Sequence, residues 1–150
     1  MSEFYSTTQP ATIIGSKASS NALTGIELES TYQTESATEA TKTFEVGGYT
    51  KLNLDLSYTM GATESSNSIE IKIEGSPDRT NFYNLVNDST SAGVSTLTAR
   101  EFTYVGVNAD TSNFSIFIDV AYKYLRVSCK ETGVVTNKGN VYAEYTLSGQ

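Results

Sequence analysis

From Phe44 onward, apolar and polar residues alternate with a period of two, and turn residues break the alternation at short intervals. Leu52, Leu54, Leu56, Tyr58 and Met60 share one face of a predicted strand, opposite Asn53, Asp55, Ser57 and Thr59. Ile69, Ile71 and Ile73 alternate with Glu70, Lys72 and Glu74, after which Gly75-Ser76-Pro77-Asp78 forms a turn whose Pro fixes φ. A short aromatic-rich strand is expected at Asn81 to Val86, then a polar loop over 87–95. Another strand is expected at Thr96 to Val105, with Phe102 and Tyr104 on one face. Three more inward columns follow: Phe114, Ile116, Ile118 and Val120; then Leu125, Val127 and Cys129; then Val141, Ala143, Tyr145 and Leu147. With strands near Phe44 to Val46 and at Gly25 to Glu29, the total is about eight or nine. Strands with one apolar face each, and no helical period, predict an all-β chain: an antiparallel, jelly-roll-like β-sandwich.

Residues 1–40 break this pattern. Ser, Thr and Ala make up nearly half of them, and Ile13, Ile14, Leu23, Ile26 and Leu28 are the aliphatic landmarks. So little apolar surface cannot offset the ordering entropy of the segment by itself. The expected organisation is therefore an extended N-terminal arm, 1–40, attached to a β-sandwich domain, 41–150. The arm is expected to lace onto a partner, and removing it is expected to leave the sandwich folded.

Composition narrows the chemistry. The 150 residues include no His, which removes His bases, imidazole metal ligands and a proximal haem ligand. A formal net charge of −7 opposes binding to nucleic acid or to an anionic membrane, and no apolar run reaches spanning length. Six glutamates of the first third, Glu3, Glu27, Glu29, Glu35, Glu39 and Glu45, face only Lys17 and Lys42, a balance that suits a basic partner surface. The opening MSEFYSTTQP has no basic stretch followed by an apolar one, so no signal peptide is expected. Cys129 is the one cysteine and continues an inward column, as a buried small hydrophobe.

Catalytic arrangements are not expected. Glu70 and Glu74 share a strand face, but four residues of strand place them roughly 13 Å apart, beyond the about 5 to 9.5 Å of glycosidase pairs. Asp78, Asp88 and Asp110 stand singly, without calcium-loop spacing. A serine nucleophile would need a lysine base, and Lys72, Lys123 and Lys130 all read as outward. Asn87-Asp88-Ser89 and Asn113-Phe114-Ser115 match glycosylation sequons by chance. The expectation is a non-enzymatic protein with no metal and no cofactor.

The segments FEVGGYTKLNLDLSYTMG, IEIKIEGSPDRTNFYNL, YKYLRVSCKETG and GNVYAEYTLSG together resemble the small β-sandwich proteins of tailed-phage virions. These coat capsids as decoration or auxiliary proteins, or serve in the neck and tail. The resemblance implies a virion location, a homotrimer, and contact with the major capsid protein or other virion proteins. The middle of the chain also resembles the discoidin-like galactose-binding sandwich, on the turn Ser76, Asp78 and Phe82 and the strand Lys123, Tyr124, Leu125, Arg126 and Val127. That resemblance implies the same fold; the chain departs from the family in lacking Trp and a terminal disulfide.

The leading expectation is a cementing protein that bridges capsid subunits through its arm and one sheet face. The interface candidates are Phe4, Tyr5, Ile13, Ile14 and Tyr32 on the arm, with the outward residues Phe117, Tyr124, Arg126 and Tyr142. Arg126 is also placed to pair with a carboxylate across the outer face. The alternative is a carbohydrate- or receptor-binding module using loops 61–67, 87–95 and 106–113, none of which carries an aromatic residue. A neck or tail adaptor shares the same architecture.

Overall fold

A computed structural model describes residues 7–149. Phe4 and Tyr5 lie outside the described residues. Two antiparallel sheets pack face to face, with no helix among the described residues. The first sheet has the order β1 (Ala11–Ile14), β14 (Asn140–Ser148), β6 (Lys51–Thr59), β12 (Thr111–Asp119), and β4 (Ile26–Glu27) also pairs with β14. The second has the order β11 (Glu101–Val105), β7 (Ser68–Ser76), β13 (Tyr124–Thr132), β5 (Thr41–Glu45), with β8 (Tyr83–Asn84) on β7. Along the main strands the chain changes sheet at every step except between β7 and β11, as in a jelly-roll-like sandwich. The inward columns expected from the alternation form one shared core: Leu52, Leu54, Leu56 and Tyr58 from β6 meet Ile69, Ile71 and Ile73 from β7 and Leu125, Val127 and Cys129 from β13.

Two segments differ from expectation. The stretch 87–95 is not a loop but most of a hairpin, β9 (Val86–Ser91) and β10 (Val94–Ala99), closed by Ala92 and Gly93. Both turn residues have positive φ, 51° and 77°, the backbone that matches the right-handed twist of a two-residue hairpin. The strand expected over 96–105 is divided at Arg100. The Arg100 N–H donates to the Leu85 carbonyl and ends the hairpin ladder, after which Glu101 begins pairing with β7.

The second difference is the N-terminal segment, which is extended but lies on its own sandwich over residues 7–40. Thr7 bridges to Ser148, β1 pairs with the far half of β14, and β4 pairs with its start. Between them, β2 (Ser16–Lys17) and β3 (Leu23–Thr24) form a small hairpin, entered at Gly15, where φ is 88° and a Cβ would lie 2.2 Å from the Thr24 carbonyl oxygen. The chain then crosses to the second sheet, where Glu131 N–H donates to Glu29 O and Cys129 N–H to Ala40 O. The physical reason is backbone pairing. Along the edge of β14 the segment satisfies its N–H and C=O groups in a ladder, so the few apolar residues it has are enough to fix it. Ile14 and Leu28 are both at 0% exposure, each burial contributing about 1.5 to 3 kcal/mol.

Candidate functional site

The expected interface residues separate into three groups. Ile14 is core and so is not available to a partner, while Ile13 is partly buried against the core. Tyr142 does face outward on β14, yet it is buried, because the segment 12–24 lies over it. Its hydroxyl shares a hydrogen bond with Thr12 Oγ1 at 2.7 Å, and Lys17 pairs with neighbouring Glu144 at 3.5 Å. The exposed-face reading of the sequence was right about direction and missed the cover. Phe117 is the candidate that stays open, at 74% exposure on β12.

Tyr32, Tyr124 and Arg126 belong to the outer face of the second sheet. Arg126 and Glu74 are directly opposite on β13 and β7, and the guanidinium donates from Nε and Nη2 to the two carboxylate oxygens at 3.0 and 3.1 Å. The Phe82 ring backs this fork at 3.8 Å, and the exposed-face ion pair expected for Arg126 is the one observed. Ser76 and Asp78 make the turn that delivers Phe82. The Ser76 hydroxyl accepts the N–H groups of Asp78 and Arg79, while Asp78 accepts those of Thr80 and Asn81. The Asn81 and Thr80 backbone N–H groups, with the Asn81 amide, hold the Asp78 carboxyl well below the usual carboxylate range. These bonds sustain Arg79 at φ 65°, left-handed backbone that a non-glycine residue rarely adopts. Ser76, Asp78 and Phe82 thus build a turn and brace an arginine.

Residues 29–36 cross the same face. The Lys72 and Lys130 ammonium groups lie 4.6 and 4.7 Å from the centre of the Tyr32 ring. Burial, then the charges of Glu101 and Glu70, push the Tyr32 phenol up. Beside Tyr32 a hollow of about 280 Å³ remains between sheet and segment, lined by Thr41, Lys72, Glu74, Arg126 and Ser128 below and Gln33 to Glu35 at the side.

On the opposite flank, strands β11 and β12 end their sheets, each pairing with one neighbour among the described residues. The hairpin β9–β10 rises from this flank, and every one of its strand residues is exposed. Val86, Val94 and Leu97 on the hairpin, with Val105 and Val107 beyond it, are among the exposed large hydrophobics. Arg100, at the base of the hairpin, lines one shallow hollow with Phe117. Between Val86 and Ala99 the one charged residue is Asp88.

Sequence reasoning missed a buried polar cluster at one end of the sandwich. Glu131 accepts hydrogen bonds from Tyr58 Oη, from the Gly139 N–H at 2.8 Å and from Asn67 Nδ2 at 3.5 Å. Glu64 accepts the Val135 N–H at 2.6 Å, and that bond comes first among the causes that lower its carboxyl pKa. Loops 61–67 and 106–113 do meet, through Gly106 N–H to Asn67 O, but Glu64 is buried holding the Val135 and Thr136 N–H groups, and Asn67 is buried donating to Glu64 and Glu131. The third loop of that expected glycan site is the hairpin. No group of three or more potential metal ligands occurs among the described residues.

No protein-family model matches the sequence, and no curated protein matches it. Among solved structures the chain is similar to the SPBc2 prophage-derived protein YomS, at 17% identity over 99% of this chain and 98% of that one, with a TM-score of 0.46. It is also similar to a CBM4 structure, at 12% identity over 77% of this chain and 73% of that one, with a TM-score of 0.38.

Proposed function

We propose that this chain is a non-enzymatic structural protein of a phage virion, a decoration or cementing protein that bridges neighbouring capsid subunits. The observation that carries this reading is the hairpin β9–β10, which is exposed along both strands. A two-stranded hairpin packed on nothing is at best marginally stable in water. This one presents Val86, Val94 and Leu97 with almost no charge, beside Phe117 and two open sheet edges, which suits burial against another protein. The virion setting is supported by the sequence resemblance. The state of the carboxylates supports a role without catalysis: Glu74 is held by Arg126, Glu131 by Tyr58 and Gly139, and Glu64 by Val135.

Compared with the expectation from sequence, the hairpin takes the bridging role given there to the arm. The major capsid protein is the proposed partner and a homotrimer the proposed assembly. The test is quantitative mass spectrometry of gradient-purified particles made by the genome that encodes the chain. The chain is expected in a fixed whole-number ratio to the major capsid protein, and a double variant, Val94→Ser with Leu97→Ser, is expected to fold yet be missing from particles. Purified particles without the wild-type chain would overturn the proposal.

A further inference from the structure

We infer that the free edge of β12 is a self-pairing site, on which β12 of a second copy of this chain adds as an antiparallel strand. The ladder between β12 and β6 determines which backbone groups are free. At its ends the Met60 N–H donates to Asp110 O and the Val120 N–H to Thr50 O, and the register is unbroken between them. Even-numbered residues of β12 therefore direct their N–H and C=O groups to β6, and odd-numbered ones turn theirs to the open side. The Thr111 N–H is taken by the Asp110 carboxylate. Asn113, Ser115, Phe117 and Asp119 have no partner for these groups among the described residues.

The other sheet edges are protected and this one is not. β1 has four residues and a register shift between Thr12 and Ile14. β5 has five residues and carries Lys42 and Glu45. β11 also has five and begins at Glu101, directly after Arg100, where the hairpin ends. β12 runs for nine residues without Pro, Lys, Arg or a register shift, and its one charge is Asp119 at the last position. A long, regular, uncharged edge is a template for another strand.

Charge selects the occupant. A basic strand would find a single carboxylate on β12, and Lys51 already pairs with it. The uncharged stretch from Thr111 to Ile118 is matched by the same stretch of a second copy, although the two chains each carry a net charge of −7. Identical strands paired about a twofold axis run antiparallel, each residue meeting its counterpart's partner in return. With the axis at Phe117, that exposed ring faces its own counterpart on the outer face, and Ile116 stands beside Ile118 of the second copy on the core face. Asp119 then falls opposite Ser115, and the two Asp119 carboxylates lie roughly 13 Å apart along the strands. The contact does not use the hairpin, and it is pairwise: it gives two copies, or six where the proposed homotrimer also forms.

The experiment is analytical ultracentrifugation of the full chain at about 100 μM, with amide hydrogen exchange followed by NMR on the same samples. An even number of copies is expected, with the Phe117 and Asp119 amides protected. Ser115→Pro removes an N–H that β6 does not use, so the sandwich is expected to keep its fold while the assembled mass falls by half and those two amides exchange freely. Phe117→Asp sets two carboxylates face to face on the axis, is expected to halve the mass as well, and serves should Ser115→Pro unfold. A monomer or other odd-numbered state of the wild type, a folded variant that retains the full mass, or unprotected Phe117 and Asp119 amides in the wild-type assembly would each overturn the inference.

Discussion

Cys129 is fully enclosed in the core, and burial pushes its thiol up to about 12. Because the thiolate is the reactive form, iodoacetamide at pH 8 is expected to leave the native chain unmodified and to label it once in denaturant, as read by intact mass. Two positions along the same strand, Glu131 continues the inward column of Leu125, Val127 and Cys129, so its burial was legible in the alternation. Its partners were not, since Tyr58 and Gly139 meet it only across the sandwich. Tyr58→Phe leaves a buried carboxylate short of a donor and is expected to lower unfolding free energy by about 1.5 to 3 kcal/mol in urea titrations. Asp78 gives a pH signature of defined sign. Its folded-state pKa lies below the ordinary 3.8, so its contribution is complete above that value and fades as pH falls toward the folded one. Asp78→Ala is thus expected to melt below the wild type at pH 7, with the gap closing as the pH drops below about 4, by thermal unfolding across that range.

The two unforeseen elements were hidden for opposite reasons. The hairpin β9–β10 has no core face, so selection for burial leaves no alternation in it, and its polar residues read as a loop. The signal it does carry is Ala92-Gly93, whose positive φ values close the turn. The N-terminal segment has a core contact, but its two fully buried aliphatics, Ile14 and Leu28, are too far apart to form a periodic pattern. What fixes it between them is the ladder to β14, a pairing that depends on the partner strand more than on the segment's own side chains. By contrast β6 and β12 alternate along nine residues, and the core columns of β7, β13 and β14 keep the same period even where their outer faces are covered, so register follows from that alternation. Ile14→Ala and Leu28→Ala are each expected to destabilise the fold by about 2 to 5 kcal/mol, as full truncations in a packed core do. Values near zero in chemical denaturation would mean that the segment is not part of the core in solution.

At the level of the whole molecule, the cover formed by residues 7–40 decides how the chain unfolds. β1 and β4 flank β14 in one sheet, and the same segment reaches β13 in the other through Glu29 and Ala40, so it ties both sheets together. An appended arm and a self-sufficient sandwich would behave differently from this: a protease would remove residues 1–40 and leave a stable fragment. Here, removing residues 1–28 uncovers Tyr142, takes Ile14 and Leu28 from the core and exposes the edge of β14. Such a fragment is expected to be unfolded or to aggregate through the uncovered strand. The intact chain is expected to melt in one transition, with calorimetric and van't Hoff enthalpies equal. Its hairpin is expected to exchange amide hydrogens early, outside that transition, because none of the described residues buries it. Limited proteolysis should therefore cut first between Val86 and Ala99, before any site from 11 to 40. Early loss of the N-terminal segment with a resistant remainder would instead restore the arm-and-domain organisation.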